Sequence, residues 1–467
     1  MARPPSRLAL SLVDSGPPCN GNRWADLMNK MNPQSHVQSG ILWDLGVPAY
    51  QPQPVPEVTD YDVAIIGAGY SGLTCGLELA KRGASVLILE QGAVGHGASG
   101  RNGGMVGPSF HKLGMTGLTR QYGADKARDI MQAGMSALDH FESFIADEGI
   151  DCGLSLGGRF RGARTAQDLA GMEAECQRLK AQVGLPFHMV TGAEVGAFIG
   201  SSTYVGGVFY PRDGGVHPKR LANALAARAE AQGVHLRDHT PVRGILRTQD
   251  GFRLQAGTGQ SYCARQVVMA SNGYSDARTP GLNARLIPIN VTVAATRDLG
   301  AARIRAMSPQ LTMHGETGRV FLWYRPSPDG RRFIFGGRMC REGLALPAQR
   351  EKVAAMVSRI FPELTPQDYE HIWHGKIAYT MDHAPHIGAI DGIWYLGGYC
   401  GSGVTRSVYF ASKLARKILG EAGGETPFDD LPFDKVALRR LAPLGVMAMT
   451  RYYRWLDERD MARRSRK

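Results

Sequence analysis

The chain has 467 residues, 43 % of them hydrophobic and 21 % charged, enough apolar material for a large core and too much for wholesale disorder. At ~100–200 residues per domain, the length allows two to four domains or one large composite. Lys and Arg exceed Asp and Glu by 12, but residues 438–467 alone hold nine basic and three acidic residues. Half of the excess therefore sits in a C-terminal appendage, and the body is only mildly basic.

Residues 1–60 are rich in Pro, Ser, Gly and Asn, and Gln51–Pro56 reads as an extended linker. Ile41-Leu42-Trp43 is its only apolar knot, placed to pack on the main body. The run Leu8–Val13 ends at Asp14 and is too short for a secretory signal. No stretch approaches the ~18 apolar residues of a membrane span. Cys19, Cys75, Cys152, Cys176, Cys263, Cys340 and Cys400 show no close pair and no metal spacing. A soluble cytoplasmic protein without a metal site is expected.

Regular structure starts at Tyr61. Val63–Ile66 is a short apolar run of the buried parallel-strand kind, Leu73–Arg82 a helix ended by Gly83, and Ser85–Leu89 a second buried strand. Pro218–Gln232 is a helix with Pro in its first turn and Gly233 at its end. Val267–Ala270 and Ile393–Leu396 are further buried strands, the latter running through Gly397–Gly403 into a helix over 404–419. Between them lie β-rich pieces, Val291–Thr296, Val320–Tyr324 and Phe333–Phe335. They predict a sheet-rich α+β domain inserted into an α/β Rossmann-type domain.

Glycine supplies 59 of the 467 residues, about twice its average share of ~7 %. No collagen period accompanies it, so each marks a turn or a close approach. Gly67-Ala-Gly69-Tyr70-Ser71-Gly72 follows the first strand and opens the helix. Its glycines serve the tight turn, the backbone's approach to a pyrophosphate and helix–strand packing, with helix N–H groups facing the phosphates. Glu90, 23 residues after Gly67, ends the second strand beside Gln91, placed to accept from ribose hydroxyls. Strand, helix and terminal acid together point to a dinucleotide.

The next segment, Val94-Gly-His-Gly-Ala98-Ser99-Gly-Arg101-Asn102-Gly103-Gly104, lets backbone lie against a flat ring and its polyol chain. Here the sequence resembles the glycine-oxidase and D-amino-acid-oxidase superfamily of FAD-dependent amine oxidoreductases, in its γ-glutamylputrescine-oxidase-like branch. The resemblance continues through Asp213-Gly-Gly-Val-His217-Pro218, Thr240-Pro241-Val242, Ala270-Ser-Asn-Gly273, His374-Gly375…Thr380…Pro385…Gly388 and Gly397-Gly-Tyr-Cys-Gly401-Ser402-Gly403-Val404. It spans about 62–420.

What the resemblance implies is a Rossmann-type FAD-binding domain in three parts, 61–150, 213–284 and 376–420, and a substrate domain in two, 151–212 and 285–375. An N-terminal extension (1–60) and a basic helical extension (421–467) flank them. Ala98, Ser99, Arg101, Asn102, Gly103 and Gly104 would border the flavin, Val242 the adenine, and Ala270 and Gly273 a covering loop. Gly401, Ser402, Gly403, Val404 and Thr405 would meet the flavin's pyrimidine edge, with Ser402 where the branch usually carries His. Ile377 stands where a cousin attaches FAD through Cys, so FAD is expected to be non-covalent. Thr405 and Ile334 stand where that cousin has lysines that bind the substrate carboxylate and activate oxygen.

The implied activity is oxidation of a primary or secondary amine to an imine by hydride transfer to flavin N5, which requires no strong general base. The substrate would be a γ-glutamylated polyamine or an N-substituted amino compound, and the acceptor O2. A dehydrogenase feeding a quinone or carrier is the alternative, and an RNA-binding flavoprotein the second. Tyr379 and Arg338 are the candidates for lining the substrate pocket, Arg338 by holding a remote carboxylate. His217 suits a cap or a cofactor-side role; Trp323, Tyr324 and Trp373 suit the second domain's core. For the C-terminal extension three readings stand: a helix packed on the FAD domain, a membrane-surface contact, or RNA contact, nucleic acid being the least favoured.

Overall fold

A computed structural model describes residues 40–464, apart from 277 and 438. The expectations for residues 1–39, among them the run Leu8–Val13 and Cys19, and for the last three residues lie outside the described residues.

β1 (Asp60–Ile66) buries Val63, Ala64 and Ile65 almost completely, as an unbroken apolar run requires. Gly67 turns the chain at φ +113°, a conformation natural to glycine, into α1 (Tyr70–Ala80). α1 starts three residues before the expected position because the fingerprint itself forms its first turn. β2 (Val86–Leu89), buried at all four positions, pairs parallel with β1. α2 (Pro218–Ala231) follows a long excursion, with Pro at its first position. The His217 ring accepts from the Arg220 N–H at 3.3 Å, which settles that histidine as a cap. β3 (Ser261–Met269) pairs parallel with the other side of β1.

β4 (Ile287–Thr296) and β5 (Tyr369–Tyr379) form a long antiparallel pair in a second sheet of eight strands. Outward from β5 and β4 come Phe333–Gly337, Trp323–Pro326, Met313–Glu316, Arg159–Ala163, Gly206–Tyr210 and His188–Val190. Phe160, Tyr324, Phe333, Phe335 and Phe361 fill one core of this sheet, while Trp373 joins Trp43 in a smaller cluster on β4 and β5. The strand expected at Val320–Tyr324 runs instead over Trp323–Pro326. The Leu322 N–H is spent on the buried Glu316 carboxylate at 2.7 Å, not on a sheet partner.

The chain then returns through β6 (Ile393–Gly397) and α3 (Gly403–Leu419) and ends in α4 (Ala442–Arg464). In the first sheet β6, β3, β1, β2 and His235–Arg237 lie side by side and parallel, with His386–Ile390 antiparallel at one edge. A hairpin, Val242–Arg247 with Phe252–Ala256, hangs from β3. The helix Ala166–Val183 buries Met172, Cys176 and Leu179 in the core shared by α1 and α3, though the strands on either side of it belong to the second sheet.

The apolar knot of the N-terminal region is buried: Leu42 and Trp43 pack on Val293, Ala295, Ile334 and Trp373. The Pro-rich stretch is not a free linker. Tyr50 and the Gln53 N–H both bond the Glu230 carboxylate, and Asn223 donates to Pro48 O at 3.0 Å, strapping it along α2. α4 docks on the second sheet, not on the sheet expected to carry the cofactor. Arg319 pairs with Asp457 and Asp460 at 2.9 Å each, and Arg338 donates to Thr450 Oγ1 at 2.9 Å. No helix among the described residues is long and apolar enough to cross a membrane.

α1 lies hard against the end of β1. A Cβ at Gly72 would stand 1.9 Å from the Gly67 carbonyl oxygen, with backbone on both sides and nothing flexible to yield. Gly72→Ala should destabilise the protein by about 1–3 kcal/mol or more. Gly171, exposed on the solvent side of the helix Ala166–Val183 with no atom within 4 Å of its would-be Cβ, should tolerate Ala and gain about 0.5–1 kcal/mol. Thermal or denaturant unfolding of the two variants checks the contrast.

Candidate cofactor and active site

Register brings the fingerprint together. Ile66 faces Leu89 on one side and Met269 on the other, and Met269 faces Tyr395. Gly67, Glu90 and Ala270, the next residue of each of the first three strands, therefore leave the sheet at one edge, beside the end of β6. This is the carboxyl-end crevice of an open α/β sheet, where ligands bind.

A long cleft opens there. Gly67, Gly69, Tyr70, Ser71, Glu90, Gln91, Ala98, Ser99, Asn102, Val242, Ala270, Gly401, Gly403 and Val404 all line it. Two helix starts face it, α1 at Gly69 and α3 at Ser402; neither N-cap residue caps its helix through a side chain, though Ser99 Oγ accepts from the Tyr70 N–H of α1 at 3.0 Å. Their first N–H groups and dipole ends favour negative charge in the cleft. Glu90 is held by two backbone donors, Ala68 N–H at 2.8 Å and Gly92 N–H at 2.9 Å. A carboxylate has about four lone-pair sites, so it keeps acceptor capacity for hydroxyls.

Seven other expected cofactor residues are placed outside the cleft wall. Gly72 packs α1 on Gly67, and Gly273 lets its loop approach Lys376 O and Ile377 of β5, where a Cβ would stand 3.1 Å from each. Gly103 faces the Trp323 ring and Gly104 faces Val216 O and Arg325. Arg101 turns away from the cleft, donating to His96 O at 2.7 Å and His374 O at 3.2 Å. Thr405 bonds Ser109 Oγ at 2.9 Å, and Ser402 only begins α3. Each is spent on a neighbour and positions the wall, apart from the Gly103 backbone N–H, for which no acceptor stands among the described residues.

The cleft also gathers residues that sequence reasoning passed over. Among them are His96, Tyr274, Asp276, Arg278, Thr279, Ala378, Tyr399, Cys400 and Ser407, beside Ile377, which the resemblance had already set next to FAD. Tyr399 and Ser71 share a 2.7 Å hydrogen bond between α1 and the loop before α3. Ile377 and Ala378 come from β5, and the Cys400 N–H donates to Ala378 O at 3.0 Å, tying the second sheet to that loop. Most of these residues follow strand ends, a positional signal that periodicity does not capture.

Of the two candidate substrate residues, the structure brings one near. Tyr379 shares a face of β5 with Ile377, and Lys112 lies over its ring at 4.3 Å and bonds its hydroxyl. His383 meets that ring edge-on at 5.9 Å. Arg338 is taken up by α4 through Thr450, and its own carbonyl accepts from Arg454. It does not reach the cleft. Two buried arginines hold backbone at or next to the cleft wall instead. Arg406 bonds Tyr399 O and Ser109 O, and Arg325 bonds Gly103 O, Gly104 O and Val216 O. Burial lowers each to about 10, so both stay charged at neutral pH. Among the described residues no group of three or more His, Cys, Asp or Glu is placed to hold a metal ion.

A parallel sheet with a glycine turn, bare helix ends and an acid at the second strand defines a Rossmann-type dinucleotide-binding protein, here with a second sheet closing one end of the cleft. The family model "DAO: FAD dependent oxidoreductase" matches residues 62–417, about three quarters of the chain, and the chain belongs to that family. It is an FAD-dependent oxidoreductase. The chain is 27 % identical over 433 residues to the probable oxidoreductase OrdL of Haemophilus influenzae, covering 91 % of this chain and 98 % of the relative. It is 28 % identical over 374 residues to γ-glutamylputrescine oxidoreductase of Escherichia coli, covering 79 % and 86 %. Among solved structures, glycine oxidase from Geobacillus kaustophilus superposes with a TM-score of 0.63 at 24 % identity, over 81 % of this chain and 99 % of that one. That last likeness bears on the fold. The family gives no support to the RNA-binding alternative.

His217 stands behind this cleft, its ring edge-on to Trp43 at 5.0 Å. Burial, aided by Arg220 and Arg325, lowers it from 6.5 to about 4. Between those pH values the unfolded chain binds a proton that the folded protein refuses. Its contribution to stability is therefore complete above pH 6.5 and is lost as pH falls towards 4. The melting temperature of the wild type should fall across that window. His217→Asn keeps a capping acceptor and should fall less; melting curves from pH 7 to 4 check this.

Proposed function

We propose that this cleft holds FAD non-covalently and that the protein oxidises a primary or secondary amine to an imine. The observation that carries the reading is the meeting, in one cleft, of the glycine turn after β1, the bare start of α3 and the apolar wall of Ile377 and Ala378. In this reading the first sheet carries the cofactor and the second closes the substrate side. Gly67, Gly69, Tyr70 and Ser71 take the pyrophosphate, Glu90 and Gln91 the ribose, and Val242 the adenine. Ala98, Ser99, Asn102 and Ala270 border the flavin and its polyol, and Gly401, Gly403 and Val404 its pyrimidine edge. Bound FAD supplies the hydride acceptor. The cleft's one thiol, Cys400, is raised by burial and donates to Gly398 O at 3.1 Å, which keeps it protonated and a poor nucleophile and favours non-covalent binding.

For the substrate we propose a γ-glutamylated polyamine or an N-substituted amino compound, with O2 as acceptor. Ile377 and Ala378 offer methylene-compatible wall, and the Thr405 hydroxyl is spent on Ser109. Thr405 thus offers no cation where the cousin's lysine binds a carboxylate next to the reacting carbon. Lys112 has no carboxylate partner among the described residues and suits a remote one. Similarity to the E. coli γ-glutamylputrescine enzyme supports the same class. A second reading, electron delivery to a membrane quinone, is favoured by α4. Its Leu444, Met447, Tyr452 and Trp455 are each about half exposed beside Arg451 and Arg459, the composition of an interfacial helix.

An anaerobic visible titration with γ-glutamylputrescine, putrescine, sarcosine and D-amino acids tests this. γ-Glutamylputrescine should bleach a flavin band, and colour and peroxide should return in air. Bleaching that only a quinone reverses would move the assignment to the dehydrogenase, and a flavin that no amine bleaches would remove the amine reading. Gly69→Leu, whose Cβ would already stand 2.8 Å from Ser99 Oγ, should purify colourless; stoichiometric FAD in that variant would contradict the cradle.

A further inference from the structure

Four consecutive carbonyls, Arg101 to Gly104, accept hydrogen bonds from three buried side chains of distant origin. Trp373 Nε1 donates to Arg101 O and Trp43 Nε1 to Asn102 O, both at 2.8 Å. Arg325 donates to Gly103 O at 3.2 Å and Gly104 O at 3.3 Å. Trp43 is 1 % exposed, Trp373 0 % and Arg325 4 %. The N–H of a trans peptide points opposite to its carbonyl, so each anchored carbonyl aims the following N–H away from its anchor.

Those N–H groups are nearly all accounted for. Asn102 donates to Ala98 O at 3.1 Å and Gly104 to Asn102 Oδ1 at 2.7 Å, while Met105 enters a two-strand ladder with Gly215. The exception is Gly103. It is buried, and its N–H has no acceptor among the described residues. Buried backbone donors are almost always paired, so this one calls for an acceptor from outside the chain. Its neighbour Asn102 lines the cleft, and the peptide that carries it is the one anchored by Trp43.

We propose that Trp43 is a positioning residue whose indole holds the Asn102–Gly103 peptide so that the Gly103 N–H donates to the ring system of FAD. This rests on the cleft being the FAD site. Trp43 lies outside the family-matched residues 62–417, so the N-terminal extension supplies part of the cofactor's surroundings. A fixed donor aimed at the ring stabilises the negative charge that reduction places there.

Trp43→Phe keeps a buried ring and removes only the N–H donor. In the purified holoenzyme it should retain FAD, bind sulfite at the flavin at least tenfold more weakly than wild type, and show a lower reduction potential by dye equilibration. Trp394→Phe, which removes an indole bonded to Gln266 at 2.6 Å elsewhere in the first sheet, should change neither. A Trp43→Phe protein with wild-type sulfite affinity and potential overturns the inference, whatever its melting temperature. If Trp43→Phe does not fold, hydrogen exchange on the wild type decides: the Gly103 amide should be protected with FAD bound and lose protection when FAD is stripped. Equal exchange in both forms overturns the inference. A wild-type protein that takes up no FAD overturns the cofactor reading itself.

Discussion

The closeness of α1 to the end of β1 governs the site. At Gly72 even a methyl group would overlap the Gly67 carbonyl, so the helix can begin directly above the strand only with glycine there. That contact puts the first N–H groups of α1 at the mouth of the crevice, where Gly69 brings no capping side chain and Ser99 Oγ takes the Tyr70 N–H alone. A second bare start, at Gly403 of α3, faces the same space. The cleft thus acquires two positive dipole ends, while Arg278, the arginine among its described lining residues, is paired with Asp276.

The second sheet completes what the first begins. β5 runs past the cleft and contributes Ile377 and Ala378 to its wall, while Trp373 from the same strand anchors the Arg101 carbonyl. The N-terminal segment adds Trp43 from the other side. Arg325 and Arg406 are buried with no carboxylate partner among the described residues, and a bare charge in such a place would be very costly. Backbone carbonyls offset that cost, and the two guanidiniums set positive charge behind Tyr399 of the cleft wall and behind the Gly103–Gly104 turn. That charge suits a ligand that gains electrons.

Some of this was legible along the chain. The run Val63–Ile66, the glycines at 67, 69 and 72 and Glu90 lie within 30 residues of one another, and local geometry alone relates them. The fold class followed from the same alternation, and fourteen expected cofactor residues line one cleft. Arg338 illustrates the opposite case. Its guanidinium, able to hold a remote carboxylate, suggested a substrate contact, but α4 returns from more than a hundred residues away to occupy it. Thr405 and Arg101 sit inside matching motifs yet spend their side chains on neighbours. A motif fixes where the backbone goes, and packing decides which way each side chain turns.

By itself the sequence determined the dinucleotide fold and the placing of its phosphate-facing turn, because strand, turn and helix are adjacent in the chain and glycine's freedom is a local property. Only the tertiary structure decided which distant residues close the cleft. Ile377, Tyr399 and Cys400 meet the fingerprint across some 300 residues of chain, and Trp43 reaches the Arg101–Gly104 loop from outside the family-matched residues. Such contacts depend on how two sheets and their loops pack in three dimensions, and no period or spacing in the chain records that packing.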